Sequence, residues 1–174
     1  MTLGPPTLLR LTFPEALNIG KVGGPSVMVP VDKELIALLY KPAQWQVASK
    51  QEEQFRRSIY LIAKRNLRLP FMETFDQPAL QTSCSRRESS THAPQALEML
   101  NGRLANEQAT AFAERLEKEC GNDSAKIVDR AYWLTTGRAP TDHERDLSLQ
   151  FLKDQSTKEF ALAMFNLNGF LYVQ

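Results

Sequence analysis

Cysteine and histidine each occur only twice in the 174 residues. Cys84 and Cys120 cannot build the disulfide framework of a small secreted scaffold, and their spacing fits no zinc pattern. Two readings of them stay open, a single disulfide in an oxidising compartment or two packed thiols. A metal centre needs three or four converging ligands, and His92 and His143 lie too far apart in sequence to act as a local pair. No apolar run approaches the ~20 residues of a membrane span. The opening residues Met1 to Pro6 have neither the basic n-region nor the apolar h-region of a signal peptide. The formal net charge is +1, whereas a dedicated nucleic-acid protein usually carries a strongly basic face. Gly20, Gly23 and Gly24 lack the spacing and the strand-to-helix setting of a dinucleotide loop.

The order of the apolar residues is more informative. Residues 1–30 hold five of the ten prolines and four of the eight glycines, so they read as an extended arm with turns. Gly23-Gly24-Pro25-Ser26 is one such turn, and Val27-Met28-Val29 has the composition of a short strand. From Val31 to the C-terminus the period is helical, giving a second segment, 31–174, as the helical domain. Asp32 is placed to cap a helix through Leu35, Ile36, Leu38 and Leu39 to Tyr40, stopped before Pro42. Residues 51–66 place Phe55, Ile59, Leu61, Ile62 and Ala63 at helical spacing.

Residues 67–93 break that pattern and read as one long irregular loop, with an aromatic stretch at Phe71–Asp76 and a polar run from Gln81 to His92. A loop of this length inside a compact domain is functional or poorly ordered. Beyond it the helices resume. Pro94 suits a first turn, and Ala96, Leu97 and Leu100 are the apolar positions of that helix, which ends at Asn101-Gly102. Ala105, Ala109, Phe112 and Leu116 form one stripe closed by Gly121. Asp123 or Ser124 caps a helix with Ile127, Val128, Ala131 and Leu134 inward, ending at Gly137. Thr141 and Glu144 spell a capping box leading into Leu147, Phe151 and Leu152. Phe160, Ala161, Met164, Phe165 and Phe170 belong to a last helix. The fold class is mostly α, an antiparallel helical bundle or array with an extended N-terminal arm and one long irregular loop.

Few residues are placed for catalysis. Cys84 and His92 are the one nucleophile-and-base pair within a single segment, with Arg86 and Arg87 to favour a thiolate. A packed or disulfide-linked Cys84 accounts for the same residues. Asp76 is the alternative acid or base. Arg56, Arg57, Lys64, Arg65 and Arg68 have no acidic residue among them and suit phosphates or anionic sugars. They also suit pairing with Glu73 and Asp76, which would anchor the loop. Phe71, Met72 and Phe75 either line a pocket or pin the loop to the bundle. The balance favours a non-catalytic role, with Arg56, Arg57, Arg65, Asp76, Arg86 and Arg87 as candidate binding residues. A hydrolytic or redox enzyme using Cys84 with His92, or Asp76, is the alternative. A nucleic-acid site over residues 54–68 is a weaker one.

Six ordered motifs carry a resemblance. They are Gly23-Gly24-Pro25-Ser26-Val27, Phe55-Arg56-Arg57-Ser58-Ile59-Tyr60, Thr74-Phe75-Asp76-Gln77-Pro78, Cys84-Ser85-Arg86-Arg87, Pro94-Gln95-Ala96-Leu97 with Leu100-Asn101, and Phe165 to Leu171. Together they resemble the domain of unknown function 1553 family, the C-terminal domain of large exported planctomycete and acidobacterial proteins that often carry a planctomycete-type cytochrome c domain. The resemblance spans about residues 20–174 and implies an extracytoplasmic setting and a multidomain parent. It also implies other domains of that parent as partners, among them a cytochrome c domain, and polysaccharide as a further one. It implies no established activity. The haem-attachment motif is absent from this chain, so no cofactor is carried over. Ala93 stands where the family pattern usually has threonine, which weakens the helix N-cap.

Overall fold

The computed structural model describes residues 22–37, 39–54, 58–64, 67, 69–77 and 93–171. The chain is mostly α, and among the described residues β-pairing is limited to two isolated bridges. Two compact units arise, one within Pro14–Ser90 and one containing Thr91–Gln174.

The Thr91–Gln174 unit is a helical array. Its helices are α4 (Ala93–Asn101), α5 (Arg103–Cys120), α6 (Ser124–Thr136), α7 (Asp142–Asp154), α8 (Thr157–Phe165) and α9 (Asn168–Leu171). α5 packs most extensively against α8. The expected stripe on α5 is the core of the unit: Ala105, Ala109, Phe112 and Leu116 are all fully buried. Across from them lie Ala161, Met164 and Phe165 of α8, also buried. The Phe112 and Phe165 rings stack at 5.4 Å, and Phe170 of α9 lies 5.4 Å from Phe165.

The helix ends follow the sequence closely. The Asp123 carboxylate accepts from the N–H groups of Ala125 and Lys126 at the start of α6. Thr141 and Glu144 form the expected capping box on α7, and Ser156 with Glu159 forms a second, unanticipated one on α8. Gly121 closes α5. Gly137 closes α6 in the left-handed region, where a side chain is strained. Gly102 separates α4 from α5, and a Cβ there would collide with the Glu98 carbonyl oxygen.

Three readings need correction in this unit. α4 does not bury its apolar positions: Leu97 and Leu100 are 58% and 46% exposed, and Ala96 is exposed too, while Gln95 and Met99 are buried. Gln95 and Met99 are four residues apart and share one face, and packing on α5 and α8 selects that face. α7 leaves Leu147 and Phe151 exposed, with Ser148 its buried residue. The last helix is two helices, because the Asn166 amide turns back to the Leu162 carbonyl at 2.8 Å and the chain breaks there.

Ion pairs tie neighbouring helices of this unit. Glu119 of α5 receives Arg115 at 2.7 Å and Arg130 of α6 at 2.6 Å. Burial pushes its carboxyl up, but the two guanidinium hydrogen bonds outweigh burial and hold it below the usual range. Arg145 of α7 pairs with Asp129 on α6, donating to its Oδ2 at 3.1 Å while Oδ1 lies beside the guanidinium. Arg138 grips both oxygens of Glu144 at 2.7 Å. That grip, helped by the Thr141 backbone and hydroxyl, lowers the Glu144 carboxyl to about 2. A carboxylate depressed on folding stabilises the fold above its unfolded pKa of about 4.3 and loses that contribution as pH falls toward the folded value. The urea midpoint is therefore expected to fall between about pH 5 and pH 2. Glu144→Gln should show a shallower fall over the same range, and an unchanged slope would contradict the grip.

The Pro14–Ser90 unit has short elements: α1 (Lys33–Ala37), a 3-10 turn at Pro42–Gln44, α2 (Gln51–Gln54), a second 3-10 turn at Ser58–Tyr60 and α3 (Pro70–Thr74). Asp32 begins α1 as expected, its carbonyl accepting from Leu35 and Ile36. The helix ends at Ala37, however, and Tyr40 is almost fully exposed. The continuous helix expected over 51–66 does not form. Val27 donates to the Tyr60 carbonyl and accepts from the Ile62 N–H, both at 2.9 Å, so Leu61 pairs with Val27 in a parallel bridge. The β-branched Ile62, next to Leu61, favours such extended backbone. The short strand character of Val27-Met28-Val29 is thus met by one bridge. Phe71–Thr74, expected to be irregular, lies within a helix that starts with Pro70 at its first position.

Candidate functional site

The site is built in the Pro14–Ser90 unit from two backbone segments. One runs from Ser58 to Ala63 and is pinned by the Val27 pairing. The other runs through Leu67 and Leu69 into α3. Met28 accepts from the Ala48 N–H at 3.1 Å, and the buried Trp45 indole donates to the Val29 carbonyl at 3.1 Å. Lys64 places its ammonium over the Trp45 ring at 5.5 Å.

After α3 the chain turns at Asp76, whose φ of 59° places a non-glycine residue in the left-handed region. Aspartate tolerates that conformation better than most side chains. The turn is held by the Asp76 N–H donating to Glu73 at 3.2 Å and the Gln77 N–H donating to Met72 at 2.9 Å. Phe75 is buried and stacks on Phe71, four residues earlier, at 4.8 Å.

Between the two segments lies a cavity of about 170 Å³. Ile59, Leu61, Ile62, Leu67, Leu69 and Met72 supply apolar side chains to it, with Ser58, Ala63 and Gln77 completing the lining. The Gln77 Oε1 atom is buried and accepts no hydrogen bond. An unpaired buried acceptor forgoes the hydrogen bond it would make with water and costs about 1–3 kcal/mol, so it is worth explaining. A more open groove on the other unit runs along α7, where Leu149 and Leu152 lie between Asp146 and Lys153.

Of the candidate binding residues, Asp76 lies at the turn that leads into Gln77. Arg56, Arg57, Arg65, Arg68, Arg86 and Arg87 lie outside the described residues, as do Cys84 and His92. The pairing of Cys84 with Cys120 therefore involves one described partner. Cys120 is a free cysteine whose thiol donates to the Lys126 carbonyl at 3.6 Å. Burial, reinforced by Glu119, pushes its pKa up, which favours the thiol over a thiolate. His143 is exposed in the first turn of α7. Among the described residues no three His, Cys, Asp or Glu side chains gather into a metal-sized cluster.

Sequence reasoning left Met72 open between pocket lining and loop anchor, and missed Gln77. Its signal was faint. A residue before proline is biased to extended backbone, and Gln77 precedes Pro78 directly after the aromatic stretch, but nothing local marks it as a lining residue.

A family model described as PSD1, protein of unknown function (DUF1553), matches residues 11–152. No match is found among curated proteins or among solved structures.

Proposed function

The chain belongs to the DUF1553 family of proteins of unknown function, and from that premise we propose that it is a non-catalytic interaction module of an exported, multidomain bacterial protein. Its role is to dock a neighbouring domain of its parent through the segment between residues 67 and 93, outside the cytoplasm. A cytochrome c domain is one such neighbour.

The cavity beside α3 supports this reading most directly. Its side chains offer shape and apolar surface, which suit an anchor group from a partner. The apolar side chains among the described lining residues suit an uncharged contact. Arg86 and Arg87, outside the described residues, remain the candidate source of charge-assisted contacts to such a partner.

Calorimetric titration with the domain adjacent to this chain in its parent tests the reading. Met72→Glu brings a charge to the docking surface and is expected to weaken association at least tenfold, about 1.4 kcal/mol. The Arg86→Ala, Arg87→Ala double variant is expected to weaken it while the helical dichroism is unchanged. Affinity unaltered by both changes would refute docking at this segment. Binding of polygalacturonate that disappears in the arginine variant would assign the segment to an anionic glycan instead.

A further inference from the structure

We infer that the peptide link between Asn168 and Gly169 is a self-modification site, where the Asn168 side chain deamidates to aspartate and isoaspartate while the chain is folded. The inference goes beyond the docking reading and does not depend on it.

The sequence holds two Asn-Gly steps, Asn101-Gly102 and Asn168-Gly169. At such a step the side-chain amide reacts readily with the backbone, because glycine has no side chain to shield the attacking nitrogen. The glycine nitrogen forms a bond to the asparagine Cγ. The amide nitrogen leaves as ammonia, carrying the proton that the backbone nitrogen gives up, and a cyclic succinimide remains. Water then opens the ring. Attack at one carbonyl leaves aspartate, and attack at the other leaves isoaspartate, whose main chain is longer by a methylene.

The structure separates the two steps. At Asn101 the link is tied down. The Gly102 N–H donates to the Glu98 carbonyl at 2.8 Å. The Asn106 amide clamps the same junction, donating to the carbonyls of Leu100 and Gly102 at 3.1 Å each. Turning the Gly102 nitrogen toward Asn101 therefore breaks a backbone hydrogen bond first.

Asn168 has no such tie. Among the described residues the Gly169 N–H makes no hydrogen bond, whereas the N–H groups of Phe170 and Leu171 both go to the Leu167 carbonyl, at 2.9 and 3.0 Å. Asn168 and Gly169 are both exposed, so water reaches them. Glycine accepts φ of either sign. The peptide plane between the two residues is thus free to turn while Phe170 and Leu171 stay buried. The product matters to the core, because the Phe170 ring lies 5.4 Å from that of Phe165. An isoaspartate at 168 lengthens the backbone just before that contact.

Peptide mapping by mass spectrometry tests the site, after incubation of the whole chain at mildly alkaline pH and, as the unfolded reference, in urea. In urea the two steps are expected to react at similar rates. In the folded chain Asn168 is expected to react at least about tenfold faster than Asn101, which corresponds to about 1.4 kcal/mol for the bond that Asn101 must break. Gly169→Ala is expected to slow Asn168 by at least as much. Its Cβ meets only the Thr136 Cγ2 atom, at 3.6 Å, so the fold has room for it. Equal rates at the two steps in the folded chain, or conversion of Asn168 in urea only, would overturn the inference. So would a product of aspartate without isoaspartate, the mark of direct hydrolysis. These wild-type results decide the matter even where Gly169→Ala fails to fold.

Discussion

Replacing Phe165 with alanine is expected to destabilise the Thr91–Gln174 unit by about 3–5 kcal/mol, the usual cost of truncating a buried phenylalanine. Phe165 is fully buried. Its ring sits between those of Phe112 and Phe170, 5.4 Å from each. Truncation removes both aromatic contacts, each contributing about 0.5–1.5 kcal/mol beyond area burial. It also leaves a cavity where α5, α8 and α9 converge, and the fully buried Ala105, Ala109 and Ala161 have no side chain long enough to fill it. For a unit of this size each kcal/mol moves the melting temperature by about 4–8 °C. A fall on the order of 15 °C or more in calorimetry is therefore expected. A change of only a few degrees would show that this aromatic row is not the centre of the core.

The second large effect concerns α4. Met99→Ala should cost about 2–5 kcal/mol, because Met99 is 1% exposed and has no route to solvent. By contrast, Leu97→Ala combined with Leu100→Ala should change stability by no more than about 1 kcal/mol, since both residues stay about half in water. Urea unfolding of the two variants checks the ordering. A more damaging double-leucine variant would mean that the helix docks by the face its sequence suggests, not by the face the structure presents. The Asn166 amide reaches the Met99 carbonyl at 3.4 Å, so Met99→Ala also reports on the seam between α4 and the break before α9.

Comparison of these helices shows what the sequence makes legible. Ends governed by local chemistry are readable. The Asp123 cap, the Thr141–Glu144 box and the glycines at 121 and 137 act within a few residues of themselves. The Ser156–Glu159 box carried the same signal and was readable in principle. The α5 stripe is readable because one face holds nearly all its apolar side chains.

Features set by distant partners are not legible in the same way. Residues 51–66 have helical spacing, yet Tyr60 and Ile62 share backbone hydrogen bonds with Val27, more than thirty positions away. A local period cannot register that competition. α4 is amphipathic in two overlapping ways, and which face turns inward depends on the helices it meets. The α3 helix is not legible either, because a proline at 70 marks a break in the pattern as readily as it opens a helix. The cavity needs both of these long-range outcomes at once, so Gln77 gave almost no advance signal.

The central claim is that a helical unit carries a core of its own while the segment around α3 is left available to a partner. Hydrogen–deuterium exchange tests it most directly, comparing the chain alone with the chain inside the longer protein proposed above. The account predicts slow exchange over Arg103–Cys120 and Ser124–Thr136 in both states, with added protection over residues 58–64 and 69–77 only in the longer protein. Identical exchange over 58–77 in the two states, or protection gained only along α5 and α6, would contradict it.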